Sequence, residues 1–600
     1  MQPFFGAGPS QEYRFPVHDM PFKTPSWVPQ LPFEIPDSLT VEQFVFDDGY
    51  RPRSIDESSN PFTCGLSGKT YTAREVRQRV DWLARSLSQQ LQWESAKGSE
   101  WEKIVGLHSL NTLLLPGACG TGRRLIGDGR AIQIDSMTLA WAIHRLGGIC
   151  MLIHPTNTED EVTRQLQAAG CKIVFTCEPL LPICKASATR LQIPPQNIFL
   201  LQTALTSPGT PEHLSFDDLV ERGQCLDAIE PYQLKKGMGA AQTAYLISSS
   251  GTSGNQKIVK VSHRNVIANI VQLYAFELPY KKELALDRCL CILPQSHCSG
   301  LILCHTWFFR GDSIYLLPKF DMMQMLKLVQ EVKLNRIILI PPILSPLITY
   351  PEMFKAFDLS SVKAIVVGAL SLDEKLATAF KNQYPDIILQ TAYGMTESFT
   401  VIAYINPSHN LLGSAGTLIP EIQARLLSED GKEVTEYNQP GELIVSSPSV
   451  VLGYLNNEAA DASAFTQDHW LKTGDLVEMR LAPDGTEHLF VIDRLKDVIK
   501  VKGIQVAPSE LEALLLRHPA VADSAVVAVP DDTFGESPKA FIVRTAGLTE
   551  DDDALKDSIH AHIRQHAAQH QWLRGGIEFL DEIPKGGNGK PLRKSLRDRT

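Results

Sequence analysis

The spacing of hydrophobic positions changes along this chain, and each change marks a different kind of structure. In TAREVRQRVDWLARSLSQQL, from Thr72, apolar residues recur at three- and four-residue steps, which predicts an amphipathic helix. In the middle of the chain, short apolar runs alternate with helical ones. SIYLLP (Ser313–Pro318), RIILI (Arg336–Ile340), VKAIVVG (Val362–Gly368) and DIILQ (Asp386–Gln390) read as strands, and MMQMLKLVQEVK and LDEKLATAFKNQ read as helices. Such alternation implies βαβ units and a parallel sheet covered on both faces. Ligands of these sheets sit at the carboxyl ends of strands, so the loops after Ile247, Gly368 and Gln390 are expected to share one crevice.

Beyond Gly413 the period shortens to two. IQARLLSEDGKEV, GELIVSS and LFVID alternate apolar and polar positions around Asp-Gly turns, which predicts a small antiparallel sheet or barrel. After Asp493 a charged stretch, RLKDVIKVKG, opens a last segment of mixed helices and strands, long enough for a small α+β domain. The first forty residues are rich in proline and aromatics and lack a period, so they read as an extended arm packed on a later domain. The expected organisation is an arm (1–40), a large α/β N-terminal domain of parallel sheets plus a small antiparallel barrel (41–492), a hinge (493–497) and a C-terminal α+β domain (498–600). One segment, 113–133, fits none of these textures. LLLPGACGTGRRLIGDGRAIQ reads as an atypical insertion, an anion-binding loop or a translated intron, and no role in chemistry is expected of it.

Composition narrows the class. Six hundred residues exceed one core, and 44% hydrophobic with 21% charged residues is ordinary for globular proteins. A net charge of −11 without a Lys/Arg run argues against a nucleic-acid surface. The eleven cysteines lack zinc or disulfide spacing and read as buried, reduced thiols. No secretory signal, no apolar run of membrane-spanning length and no peroxisomal tripeptide is read, so a cytoplasmic location is expected.

The residues able to carry chemistry cluster at the predicted crevice. YLISSSGTSGNQKIVKVSHRN (Tyr245–Asn265) runs from an apolar strand into a loop of serines, threonine and glycines. Gly251 and Gly254 let the backbone approach a ligand, while Ser249, Ser250, Thr252 and Ser253 supply hydroxyls beside an N–H nest, and Lys257 adds charge. The loop lacks the Gly-Lys-Ser/Thr ending of the common phosphate loop, and an ordinary turn is the plain alternative. TAYGMTES follows the strand DIILQ. There Tyr393 can stack on a base, Thr396 offers a hydroxyl and Glu397 a carboxylate for Mg²⁺; core packing and a solvated loop are the alternatives. WLKTGDL sets Asp475 after a tight turn, where its carboxylate can accept both ribose hydroxyls. DRLKDVIKVKG offers Arg494 and Lys500, and PKGGNGKPLRK offers Lys590; both stretches also read as solvated basic faces.

Taken in order, these stretches resemble the motifs of the adenylate-forming (AMP-binding) superfamily: acyl- and aryl-CoA ligases, luciferases and peptide-synthetase adenylation domains. SSGTSGNQK resembles its phosphate-loop motif, YGMTE (with Gly394) its adenine and magnesium motif, and TGDL its ribose motif. DRLKDVIKVKGIQVAPSELE resembles the hinge motif and PKGGNGK the motif with the catalytic lysine. HPTNTEDEVTRQLQAAGCKIVFT is similar to the stretch before the phosphate loop. The likeness covers roughly Tyr71 to the C-terminus outside 113–133, and five ordered motifs are specific where one is not. Gln256 and Ile258 stand where the family usually has proline and glycine. Ala392 stands where coumarate–CoA-ligase-like members usually carry glycine.

The resemblance implies an AMP-forming acid–thiol ligase. A carboxylic acid is coupled to AMP with release of pyrophosphate, which demands charge neutralisation on a phosphoryl group under in-line attack. Ser249 to Gly254 and Lys257 would hold the β/γ phosphates, Thr396 the α-phosphate region, Glu397 Mg²⁺, Tyr393 adenine, and Asp475 with Arg494 the ribose. Lys590 would bridge acid and α-phosphate oxygens. A mobile C-terminal domain would then swing about Lys496, and Lys500, Gly503 and Gln505 would act in transfer to the thiol of CoA. His297 is expected to help close the ATP and acid pocket; His263 is either a pocket or a core histidine. Gly368, Ala369, Thr391, Ala392 and Val401 form the expected wall, small or apolar and without a cation for a second carboxylate. An apolar monocarboxylic acid, fatty or aromatic, is therefore the expected small-molecule partner. The alternatives are loading of a carrier-protein phosphopantetheine in trans, or a catalytically silent nucleotide-binding protein; the latter would be expected to lack Lys590 or Glu397.

Overall fold

The computed structural model describes residues 22–110, 134–201, 213–249, 256–281, 285–317, 320–368, 372, 374–502, 504–545, 547, 551–585 and 590–600. The segment 113–133 lies outside them. Two large sheets share one core through a layer of buried helices. In the seven-stranded sheet, Thr243–Ser249, Ile149–Ile153, Ile104–His108, Val174–Thr176 and Ile198–Leu200 run parallel in that order. Lys257–Ser262 folds back antiparallel on Thr243–Ser249, and Gly453–Tyr454 pairs beyond it.

The nine-stranded sheet contains the strands expected from the central alternation. Its parallel part runs Ile388–Met395, Ala364–Val367, Arg336–Leu339, Arg288–Cys291, Ser313–Leu316 and Phe62–Cys64. The strand that opens as DIILQ runs further than its apolar pattern, to Met395, because Thr400–Tyr404 pairs with it antiparallel. Between the sheets, helices His263–Glu277 and Cys298–Arg310 bury nearly every residue, as expected of segments apolar on all sides. Ser262 and Asn265 close a capping box at the start of the first. Gly311, at φ 84°, ends the second in the left-handed conformation that glycine adopts without strain. The amphipathic helix read from Thr72 is present as Ala73–Leu91, with a Thr72/Glu75 capping box.

The period-two region forms a six-stranded antiparallel sheet. Its order is Phe22–Lys23, Gln423–Leu427, Gly441–Ser446, Leu471–Leu481, Glu487–Arg494, with Glu433–Val434 paired to Gln423–Leu427. The arm thus supplies an edge strand, Phe22 pairing with Ala424, and Trp27 stacks on His409 with centroids 4.3 Å apart. The C-terminal segment has its own five-stranded sheet and its own core, built on Ile499, Val501, Leu511, Val526, Ile542 and Ile559. All described cysteines except Cys225 are buried. Among the described residues no helix is long and apolar enough to cross a membrane.

Candidate active site

Among the described residues, Ser249, Lys257, Gly368 and the stretch from Ala392 to Glu397 line one cavity of about 380 Å³, together with residues of the small sheet and the C-terminal domain. Strand register builds its best-defined cluster. Asp475 and Arg494 are cross-strand partners on Leu471–Leu481 and Glu487–Arg494. The Arg494 Nε lies 2.7 Å from Asp475 Oδ1, and the Tyr393 hydroxyl donates to Asp475 Oδ2 at 2.7 Å. Burial pushes the Asp475 carboxyl up against the pull of Arg494, and burial beside Asp475 drives the Tyr393 phenol well above its usual range. A bulge between Tyr393 and Gly394 turns the strand end into the cavity. No side chain fits at Gly394, where a Cβ would sit 1.3 Å from the Thr400 carbonyl oxygen.

Thr396 and Glu397 follow on a single 3₁₀ turn and both face the cavity. The Tyr454 hydroxyl donates to Glu397 Oε1 at 2.8 Å, and the Lys257 ammonium lies 4.6 Å from the Tyr454 ring centroid. One tyrosine therefore ties together two residues read separately from the sequence. His297 lines the cavity and caps helix Cys298–Arg310, its Nδ1 accepting the Ser299 N–H at 3.3 Å. Cys298 beside it raises its proton affinity more than burial lowers it. The Cys298 thiol is pushed up by burial, but His297 and a 3.5 Å contact with the Thr396 hydroxyl bring it below its ordinary value.

Lys590, from the C-terminal domain, enters the same cavity. Burial and then Arg494 lower its pKa, while Asp475 opposes them. Lys496 also lines the cavity. Lys500 and Gln505 face each other across the hairpin Ile499–Val501/Ile504–Val506, away from the cavity wall, and Lys500 pairs with Glu429 of the small sheet. Gly368, Ala392 and Val401 line the cavity as expected.

Other expectations require correction. His263 is fully buried in the core, because it begins a helix sandwiched between the sheets. Its Nδ1 accepts the Val41 N–H at 3.1 Å and its ring meets His144 edge-on at 5.0 Å. Thr391 turns from the cavity and donates its hydroxyl to the Ser414 carbonyl at 2.9 Å. The wall also contains a cation, Arg336, paired at 2.7 Å with Glu277. Ser250, Gly251, Thr252, Ser253, Gly254, Ala369 and Gly503 lie outside the described residues. The departures at Gln256 and Ile258 have local reasons. Gln256 bonds Gln165 on helix Glu159–Ala169 and reaches Asn157 at 3.4 Å, and Ile258 is buried in the apolar layer behind the seven-stranded sheet.

Tyr454, Cys298, Glu277 and Arg336 were not singled out from the sequence. A charge at the head of the apolar run RIILI, and another ending IANIVQLYAFE, were the visible signals for the last two. Tyr454 has no such signal, since it meets Lys257 only through strand pairing. Asp287, Cys289 and Asp312 converge like a metal cluster, but Arg310 and Lys281 already occupy the carboxylates.

Two parallel-stranded sheets, a small antiparallel sheet and a separate C-terminal sheet whose chain sends a lysine into the shared cavity make up the fold of adenylate-forming enzymes. The profile described as AMP-binding enzyme matches residues 133–455, and that of the AMP-binding enzyme C-terminal domain matches residues 510–590. The chain belongs to this family. It is 40% identical to acyl-CoA ligase gloD of Glarea lozoyensis over 96% of this chain and 99% of that one. It is 37% identical to acyl-CoA ligase cm3C of Cordyceps militaris over 100% of this chain and 93% of that one. Among solved structures, ATP-bound MatB from Rhodopseudomonas palustris shares the fold, with TM-score 0.74 and 21% identity over 93% of this chain and 98% of that one. The anthranilate CoA ligase AuaEII in complex with anthranoyl-AMP superposes equally well, with TM-score 0.74 and 22% identity over 94% and 98%.

Proposed function

We propose that this chain activates a carboxylic acid with ATP, forming an acyl-adenylate and pyrophosphate, and passes the acyl group to the thiol of CoA. The observation that carries the reading is Lys590, a C-terminal ammonium that lines the cavity of the N-terminal sheets within the electrostatic reach of Asp475 and His297. Relatives named acyl-CoA ligase, 37–40% identical over nearly the whole chain, support it.

The acid's carboxylate attacks the α-phosphorus and pyrophosphate leaves. No general base is needed, because the acid is already an anion at neutral pH. What the site must supply is positive charge and donors aimed at the phosphoryl oxygens. Lys590 bridges the acid and the α-phosphate, and the anions that arrive offset its repulsion by Arg494. Lys257 and the segment Ser249–Gly254 hold the departing phosphates. Asp475 keeps acceptor capacity on both oxygens after Arg494 and Tyr393 are satisfied, enough for two ribose hydroxyls. Glu397 and Thr396 form an oxygen donor set suited to Mg²⁺, which neutralises phosphate charge when bound.

The arrangement is that of the first half-reaction. Rotation of 498–600 about a hinge at 493–497, centred on Lys496, would withdraw Lys590 and bring Lys500, Gly503 and Gln505 to the acyl-adenylate for thiol attack. Residues 1–40 act as the arm and 41–492 as the body that stays fixed. The test is acid-dependent ATP–pyrophosphate exchange over a panel of fatty and aromatic acids, followed by thioester formation with free CoA or a phosphopantetheinyl carrier. Exchange without acid, or none with any acid, would overturn activation. Transfer only to the carrier would replace CoA as the acceptor.

A further inference from the structure

We infer that the acid taken by this chain carries an uncharged hydrogen-bonding group, a hydroxyl or keto oxygen, at the end remote from its carboxylate. The inference rests on the acid-activating reading above and names the substrate class of that same cavity.

Past the reaction centre the cavity follows helix Cys298–Arg310. Ser299, Ile302, Leu303, Thr306 and Trp307 line it at steps of three and four, one stripe of the helix. From Ser299 to Trp307 that stripe spans about 12 Å at the helical rise per residue. The wall opposite changes character along this length on three separate elements. On helix His263–Glu277 the liners pass from Leu273 to Glu277, one turn further on. On strand Arg336–Leu339 they pass from Ile338 to Arg336, and on strand Thr400–Tyr404 from Val401 to Tyr404. The polar residues meet at one end: Arg336 lies 2.7 Å from Glu277 and donates to the Tyr404 hydroxyl at 3.5 Å. All three are less than a tenth exposed.

The electrostatics decide which tail fits. Behind this polar face, Arg310 pairs with Asp287 at 3.0 Å and Asp312 at 3.1 Å, and Lys281 pairs with Asp287 at 2.7 Å. Lys281, Arg310 and Arg336 thus balance Glu277, Asp287 and Asp312 charge for charge. A second carboxylate would arrive as an uncompensated buried anion, which is strongly unfavourable. A plain alkyl end would strip water from Glu277, Arg336 and Tyr404 and return no hydrogen bond. A hydroxyl can donate to Glu277 and accept from Arg336, and a keto oxygen can accept from Arg336 or Tyr404.

The experiment is ATP–pyrophosphate exchange with straight-chain acids of six to twelve carbons in matched sets: unsubstituted, terminally hydroxylated, terminally ketonic and dicarboxylic. At the best-fitting length the hydroxy or keto acid is expected to exceed the unsubstituted acid about tenfold in kcat/KM, mainly through KM, with the dicarboxylic acid below both. Tyr404→Phe removes only the hydroxyl and should narrow the ratio of hydroxy or keto to unsubstituted acid; Arg336→Met should narrow it further. A thermal melt of each variant separates lost recognition from lost folding. Equal or faster exchange with unsubstituted acids at every length, or a preference for the dicarboxylic acid, overturns the inference while leaving acid activation standing. No exchange with any of these acids overturns this inference, while activation itself falls only if the aromatic acids of the wider panel are silent as well.

Discussion

The Tyr454 hydroxyl donates to Glu397 Oε1 at 2.8 Å, and this bond joins a residue on the edge strand of the seven-stranded sheet to the carboxylate proposed to hold Mg²⁺. The same ring lies 4.6 Å from the Lys257 ammonium. Tyr454 therefore fixes one oxygen of Glu397 and holds the Lys257 ammonium over its ring. Tyr454→Phe keeps the ring and removes only the donor. It is expected to lower kcat/KM for ATP–pyrophosphate exchange about tenfold, the scale of one hydrogen bond to a charged group, and to raise the Mg²⁺ concentration giving half-maximal rate. An unchanged Mg²⁺ dependence would remove Tyr454 from the metal's surroundings.

On the proposed mechanism Lys590 acts in the first half-reaction only. Lys590→Ala is expected to slow adenylation by roughly a hundredfold to a thousandfold, as loss of one preorganised charge on an oxyanion does. Thioester formation from supplied acyl-adenylate should stay near the parent rate. Equal loss in both steps would refute the division of labour between Lys590 and the opposite face of its domain.

The two-sheet body was legible from the sequence because its strands are short apolar runs separated by helical periods. After Asp493 charge replaces that pattern, and the strands beyond it, from Ile499, pair in a sheet of their own. Glu397 could be placed at the crevice because it follows Ile388–Met395, and the ligand edge of a parallel sheet is fixed by chain direction; Asp475, inside a strand of the antiparallel sheet, was legible only from the motif around it. What could not be read depends on pairing between distant segments. Tyr454 meets Lys257 and Glu397 only when Gly453–Tyr454 adds to the edge of the seven-stranded sheet. His263 could not be assigned between pocket and core from the sequence; the helix it starts is buried along nearly all its length and carries it into the core. Arg336 lay in plain sight at the head of an apolar strand, yet its partners Glu277, Gln390 and Tyr404 come from separate elements.

The proposed mechanism gives Lys500 to the second half-reaction. In this arrangement its ammonium pairs with Glu429 on the small sheet, both side chains being more than half exposed. Exposed pairs add little to stability, so Lys500→Ala should change adenylation only a few-fold. Thiol attack on the acyl-adenylate should fall by at least ten times more, read as CoA-ester formation in single turnover. A parallel loss in both steps would assign Lys500 to the closed arrangement alone.

His144, His263 and His305 form a buried group around Tyr245, whose hydroxyl lies 2.9 Å from His305 Nε2. Burial lowers the pKa of His144 to about 4, and burial, then the neighbouring His144, hold His263 and His305 well below the usual range. A folded pKa below the unfolded value near 6.5 means that the unfolded chain takes up the proton first. The stability these neutral rings contribute is complete above pH 6.5 and is lost as pH falls towards 4; for His144 the loss at pH 5 is about 2 kcal/mol. Carboxyls such as Glu512, raised to about 7 by burial against the pull of Arg593, act in the opposite sense. The comparison that isolates the histidine is urea unfolding of the parent and of His144→Gln, whose amide can still donate to the Ala244 carbonyl. Between pH 7 and 5 the parent's midpoint should fall more steeply than the variant's, and parallel slopes would show that His144 does not titrate on unfolding.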